Sequence, residues 1–129
     1  MKRIFTLIIS FVALALTVQA QHPIQRISVT DFGAKPDSRE DTSAAFARAV
    51  EACGGRDAII EFPQGCYDFW PDSLQSVPTA MYLRDARNIT VEGNGSEFVF
   101  HGKMRIAFVE RSQNIVLRNF FYRLGPSVY

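Results

Sequence analysis

The chain has 129 residues, of which 47% are hydrophobic, 21% charged and 12% aromatic, with 14 Lys and Arg against 13 Asp and Glu. That balance excludes a disordered tail, a collagen-like repeat and a strongly basic nucleic-acid binder, and the length allows one domain at most. Lys2 and Arg3 open the chain with positive charge, Ile4 to Val18 is an almost uncharged apolar run, and Val18-Gln19-Ala20 ends it in a form that a signal peptidase accepts. Residues 1–20 therefore read as a secretory signal peptide. A membrane anchor needs nearer 20 apolar residues than the roughly 15 present, and no cysteine stands at the cleavage point to carry a lipid. Cleavage after Ala20 leaves a mature chain from Gln21 to Tyr129; with Lys2 and Arg3 gone, its acidic side chains outnumber the basic ones by a single charge. The expected product is secreted or periplasmic, with no stable membrane insertion and no electrostatic partner such as nucleic acid.

In the mature chain, Ile27 to Ala34 reads as a short alternating strand closed by Gly33, followed by a polar turn through Pro36, Asp37 and Ser38. Asp41 or Thr42 then caps a helix. Phe46, Ala49, Val50 and Cys53 recur at helical spacing, Arg48 and Glu51 fall on the other side, and Gly54-Gly55 stops the element. Ala58 to Phe62 is a strand by its apolar content and by the Pro63-Gln64-Gly65 turn that ends it. The next stretch, Tyr67-Asp68-Phe69-Trp70-Pro71, is too aromatic for an ordinary linker. Cys53, at the end of the helix, and Cys66, beyond the next strand, are the two cysteines. Export permits a disulfide between them, but two unbonded apolar fillers are the preferred reading. Neither cysteine has the spacing of a zinc site, and His22 and His101 lie far from both, so no metal is assigned.

From Ala80 onward the chain repeats. Tyr82 to Gly93 can be laid over Phe108 to Asn119 at one constant offset: Tyr82 on Phe108, Leu83 on Val109, Ala86 on Ser112, Asn88 on Asn114, Ile89 on Ile115 and Val91 on Leu117. A period of about 20 to 50 residues marks a solenoid or array, in which stacking buries a face that no single unit can bury. Short strands are expected at Met81–Leu83, Ile89–Val91 and Phe98–Phe100, with no helical period. The architecture predicted is all-β, a parallel β-helix with one short α-helix, its coils about 4.8 Å apart and Asn88 stacked with Asn114 at a corner. Asn88-Ile89-Thr90 and Asn94-Gly95-Ser96 also fit the glycosylation pattern, but turn chemistry accounts for them. His101-Gly102-Lys103 reads as a turn between strands.

Three motifs then carry a resemblance. Ile27 to Ala34 resembles the V-x-D-F-G-A opening of pectin-lyase-like right-handed β-helix proteins, Asp41 to Val50 resembles their D-x-T-x-A-F-x-x-A-I capping helix, and Ile60 to Tyr67 resembles I-x-F-P-x-G-x-Y. Ala47 stands where Gln is frequent, and Asp37 to Glu40 lacks a Gly, which moves the chain away from a generic polygalacturonase. The fuller string from Ile27 to Asn119 most resembles the exo-acting α-1,3-galactosidases of glycoside hydrolase family 110. The resemblance implies hydrolysis of terminal α-1,3-linked galactose, as on blood-group-B-type glycans, with inversion and without a cofactor; the partner is an α-galactosyl-terminated glycan. Inversion needs an acid and a base carboxyl about 6.5–9.5 Å apart. The family's pair belongs to later coils, so no catalytic residue is expected within this chain.

Among the carboxylates present, Asp31, Asp37, Glu40 and Asp41 suit the opening turn and helix cap, and Glu61 alternates outward to solvent. Asp68 and Trp70 are the substrate-binding candidates, since sugars stack on aromatic faces and carboxylates bind their hydroxyls; the competing role for Trp70 is to cover the end of the core. Residues 21–129 are thus expected to be the N-terminal part of a β-helix domain. The tail from Phe121 breaks the repeat, placing Pro126 where the offset from Phe100 calls for a strand residue. The family pattern after Phe120 continues approximately Ser-Ile-Asp-Trp, and with suitable synonymous codons the removal of one base restores it, so 121–129 reads as out of frame. Two other functions fit the scaffold: a polygalacturonase or pectate-lyase-like enzyme, and a non-catalytic glycan-binding module.

Overall fold

The computed structural model describes residues 23–126, and the signal peptide expected over residues 1–20 lies outside them. The elements in chain order are β1 (Gln25–Ser28), a 3-10 turn (Val29–Phe32), α1 (Ser43–Ala52), β2 (Arg56–Glu61), β3 (Cys66–Phe69), β4 (Thr79–Arg84), β5 (Arg87–Phe100), β6 (Arg105–Glu110) and β7 (Gln113–Leu124). Strands predominate, all strand pairs are parallel, and among the described residues there is one α-helix. No helix of the described residues is long and apolar enough to cross a membrane.

The first strand is shorter than its sequence implies. It stops at Ser28, whose hydroxyl lies 2.7 Å from that of Thr30, and the chain turns. The Gly33 and Ala34 N–H groups donate to the Thr30 and Val29 carbonyls, and Gly33 closes the turn at a φ of 104°, a conformation that glycine reaches without a Cβ penalty. Local side-chain bonding has displaced the ladder over Val29–Phe32. The helix begins as expected. Thr42 is the residue before it, but the side-chain cap comes from Asp41, whose Oδ1 accepts the Ser43 N–H at 3.3 Å. Its apolar stripe buries Ala45, Phe46 and Ala49.

Parallel pairing stacks the strands as rungs. Ala58 on β2 lies between Gln25 on β1 and Ile89 on β5, and Ile89 in turn pairs with Ile115 on β7. The constant offset of the repeat is the register itself: Tyr82 pairs with Phe108, Leu83 with Val109, Ile89 with Ile115 and Val91 with Leu117. The two strands expected at Ile89–Val91 and Phe98–Phe100 are halves of one, β5, bent where Asn94 and Gly95 take φ of 51° and 76°. Its first half pairs with β2 and its second with β3. Across the bend the register to β7 shifts, so that Ser96 meets Phe120 and Phe100 meets Leu124. The strand position expected for Pro126 therefore belongs to Leu124, and the tail keeps pairing up to it. Gly93 is required at this bend, since a Cβ there would lie 2.5 Å from the Asn119 carbonyl oxygen.

Inward side chains build an aromatic ladder through the core. Phe46 packs on Phe62, Phe62 on Phe98 and Phe98 on Phe120, with ring centroids 6.2, 4.7 and 4.6 Å apart. α1 closes the core at the β1 end. The asparagine corner is present and one step longer than expected: Asn114 Nδ2 donates to Asn88 Oδ1 at 2.9 Å, and Asn88 Nδ2 to Asp57 Oδ1 at 2.8 Å. All three residues take left-handed φ of 50–55°, which Asn and Asp tolerate better than other L residues.

Candidate functional site

Alternation along β3 sends Tyr67 and Phe69 into the core and leaves Asp68 on the outer face of the sheet. In register beside it stand Val99 on β5 and Arg123 on β7. The segment before α1 walls this face. The Asp37 and Thr42 N–H groups donate to the Cys66 and Asp68 carbonyls at 2.7 and 2.9 Å. In return, Asp37 Oδ1 accepts the Cys66 N–H at 3.0 Å and Asp41 Oδ1 the Trp70 N–H at 2.9 Å. The acids assigned to turn and cap thus tie the wall to β3. The cleft so formed has a volume of about 360 Å³.

Asp68 and Trp70, the two candidates, meet in this cleft, and the structure adds His101. Asp68 is 6% exposed and its Oδ1 lies 3.2 Å from His101 Nε2. The imidazole lies flat on the indole of Trp70, with centroids 3.6 Å apart and planes within 2°. Trp70 Nε1 donates to the Arg39 carbonyl at 2.8 Å. The indole is fixed by the His101 ring and by its Nε1–H bond, yet Trp70 stays 39% exposed. It stands on the outside of the sheet, and the end of the core, which Trp70 was alternatively expected to cover, is closed by α1. His101 is a buried cleft residue as well as the start of a turn: it follows β5 directly, and its N–H donates to the Phe69 carbonyl at 3.0 Å. The signal for it lay in spacing. His101 follows Trp70 at the same separation as Glu97 follows its ladder partner Cys66.

Around Cys66 the electrostatics lean negative. Asp37 and Asp68 face Arg39 and Arg123 across the cleft, but Arg123 is ion-paired with Glu97. Burial, followed by the charges of Asp68, Glu97 and Asp37, pushes the Cys66 thiol up, opposed only by Arg123. Cys66 is therefore a poor nucleophile at neutral pH. Cys53 and Cys66 are both free thiols, so the disulfide that export permits is not formed in this structure. Among the described residues no group of three His, Cys, Asp or Glu side chains could hold a metal ion. Chemically the cleft offers a buried, oriented carboxylate for hydroxyl groups and a fixed aromatic surface for apolar ring faces. Trp70 also borders a second, smaller cleft of about 220 Å³, lined by Ser43, Asp72, Gln75 and Tyr82.

Residues 26–123 match the model of the family described as rhamnogalacturonase A/epimerase, pectate lyase-like. The chain is similar to alpha-1,3-galactosidase B of Bacteroides thetaiotaomicron, at 34% identity over 84% of this chain and 20% of that protein. It is similar also to alpha-1,3-galactosidase A of Shewanella woodyi, at 34% identity over 74% of this chain and 18% of the relative. With alpha-1,3-galactosidase B of Phocaeicola vulgatus the identity is 31% over 93% of this chain and 23% of the relative. The chain thus spans about one fifth of the length of the curated relatives it matches.

Proposed function

Because the chain belongs to the rhamnogalacturonase A/epimerase, pectate lyase-like family, we propose that it forms the N-terminal coils of a right-handed parallel β-helix in an exported glycoside hydrolase. The reaction we assign to the whole enzyme is removal of terminal α-1,3-linked galactose from blood-group-B-type glycans, with inversion. The likeness to proteins named alpha-1,3-galactosidase supports the bond and sugar, and the apolar run before Gln21 supports export through a signal peptide.

Within this chain the role is recognition. The carrying observation is the buried Asp68, held by His101, whose ring is stacked on the partly exposed indole of Trp70. The carboxylates around it are engaged in structure: Asp37 and Asp41 accept backbone N–H groups, and Glu61 and Glu97 pair with Arg26 and Arg123. An inverting pair needs one free acid and one free base, and the family resemblance implies that the hydrolytic carboxyls lie on later coils. A polyuronate substrate, the alternative within the superfamily, is the less favoured, since the relatives matched are named alpha-1,3-galactosidase.

The test is binding without turnover. The chain is expected to bind methyl α-galactopyranoside and to release no galactose from an α-1,3-galactosyl disaccharide. Asp68→Asn should weaken binding about tenfold or more, the scale of a lost charged hydrogen bond of ~1.5–3 kcal/mol. Unchanged affinity in that variant, or preference for galacturonate, would overturn the reading.

A further inference from the structure

Trp70 is built as a partition. Its backbone N–H is bonded to Asp41, which lines the smaller cleft, and its Nε1–H to the Arg39 carbonyl, beside the larger. His101, in the larger cleft, covers one face of the indole. Such a ring loses little freedom when a ligand settles on its other face, which is the condition for preorganised binding. The two clefts differ in what they can hold alone. The larger, at about 360 Å³, lies at the low end of the range of roughly 300–1,000 Å³ ordinary for small-molecule sites; the smaller, at about 220 Å³, falls below it. The smaller cleft makes sense as a site only when a ligand reaches it across Trp70.

We propose that Trp70 divides two adjoining sugar subsites and that the ligand is a neutral oligosaccharide of at least two sugar units lying across its free face. One unit sits in the Asp68–His101 cleft, the next against Asp72 and Gln75. Polar groups suited to hydroxyls are present in the second subsite. Asp72 engages the Leu74 N–H through Oδ1, and Gln75 engages the Thr79 N–H through Oε1, so the amide end of Gln75 retains its donors. Charge sets the class. Asp41 and Asp72 line the smaller cleft without a cation among its lining residues, so an acidic sugar is repelled at that position. The inference rests on the assignment of Asp68 and Trp70 to sugar binding and extends it to the length of the ligand.

Trp70 is the chain's one tryptophan, so its emission reports the site directly. The probes are methyl α-galactopyranoside and the methyl glycoside of galactosyl-α-1,3-galactose, titrated against the full chain. The disaccharide is expected to saturate the emission change at a concentration at least tenfold lower than the monosaccharide. Gln75→Ala and Asp72→Asn, made separately, should each shrink that advantage to threefold or less and leave the monosaccharide affinity unchanged. Asp68→Asn should weaken both ligands alike. Equal affinity for the two sugars, or a tenfold advantage that survives both smaller-cleft variants, overturns the second subsite while leaving the Asp68 reading intact. A chain that responds to neither sugar overturns the Asp68 reading and this proposal together.

Discussion

At the scale of single residues, Cys66 reports the field of the cleft. Its thiol is raised first by burial and then by Asp68, Glu97 and Asp37, so alkylation of Cys66 by iodoacetamide should show an apparent midpoint above the ordinary thiol value of about 8.5. Asp68→Asn should lower that midpoint, and Arg123→Ala should raise it; peptide mapping separates Cys66 from the buried Cys53. Tyr67 makes a sharper case. Burial pushes its hydroxyl up to about 12, and it donates to the Pro63 carbonyl at 2.5 Å. The unfolded chain releases that proton from about pH 10, and the folded one only near 12. Folded protein therefore holds more protons between these limits, and stability falls as pH rises through them. Tyr67→Phe should flatten this alkaline slope in denaturant melts; an unchanged slope would remove Tyr67 as its cause. Glu92 works at the other end of the scale. Hydrogen bonds from the Asn94 N–H, Asn119 and Arg118 hold its carboxyl below the ordinary value, so its contribution is present at neutral pH and is lost as pH falls below about 4.3 and through the lowered pKa.

At the scale of elements, the aromatic ladder joins the rungs more tightly than backbone pairing alone. Phe98 is fully buried and touches Phe62, Tyr67, Phe69, Phe100 and Phe120. Phe98→Ala should cost about 3–5 kcal/mol, read as a fall in urea midpoint at unchanged slope. Asn88→Ala breaks the corner ladder and forces alanine into φ of 55°; a loss of ~1–3 kcal/mol is expected. The corner was legible in the sequence because Asn88 and Asn114 fall in coils of equal spacing. Asp57 was not, because the coil from Ala58 to Ile89 is longer than the one from Ile89 to Ile115, and a fixed offset finds only equal coils. The same inequality concealed His101 beside Trp70. It also misplaced Pro126, since the bend at Gly93–Gly95 shortens the second half of the offset and hands the paired position to Leu124. Alternation revealed the inward positions, whereas the cleft depends on which outward residues become neighbours, and that is a matter of register between coils of different length.

At the scale of the whole molecule, the two ends of the stack are unlike. The β1 end is closed by α1, whose Ala45, Phe46 and Ala49 are buried. At the other end, among the described residues, β7 is paired only with β5. Ile115, Leu117 and Phe120 are half-buried there, while Phe121, Tyr122 and Leu124 are 73%, 61% and 71% exposed. A row of unpaired backbone groups beside exposed apolar side chains is a template for further strand pairing. Among the described residues β1 is likewise paired only with β2, so copies of this chain alone can meet between like ends, which closes after two, or set β7 against β1, which extends. The chain studied alone is therefore expected to associate through β7, seen as a concentration-dependent mass in light scattering. Phe121, paired in register with Glu97 and exposed, stands where a cation is tolerated, so Phe121→Lys should shift that equilibrium toward monomer without lowering the urea midpoint of the monomer. A wild-type chain that stays monomeric at high concentration and melts cooperatively would show that β7 is not a pairing edge, and would remove the physical reason for a further coil to dock on it.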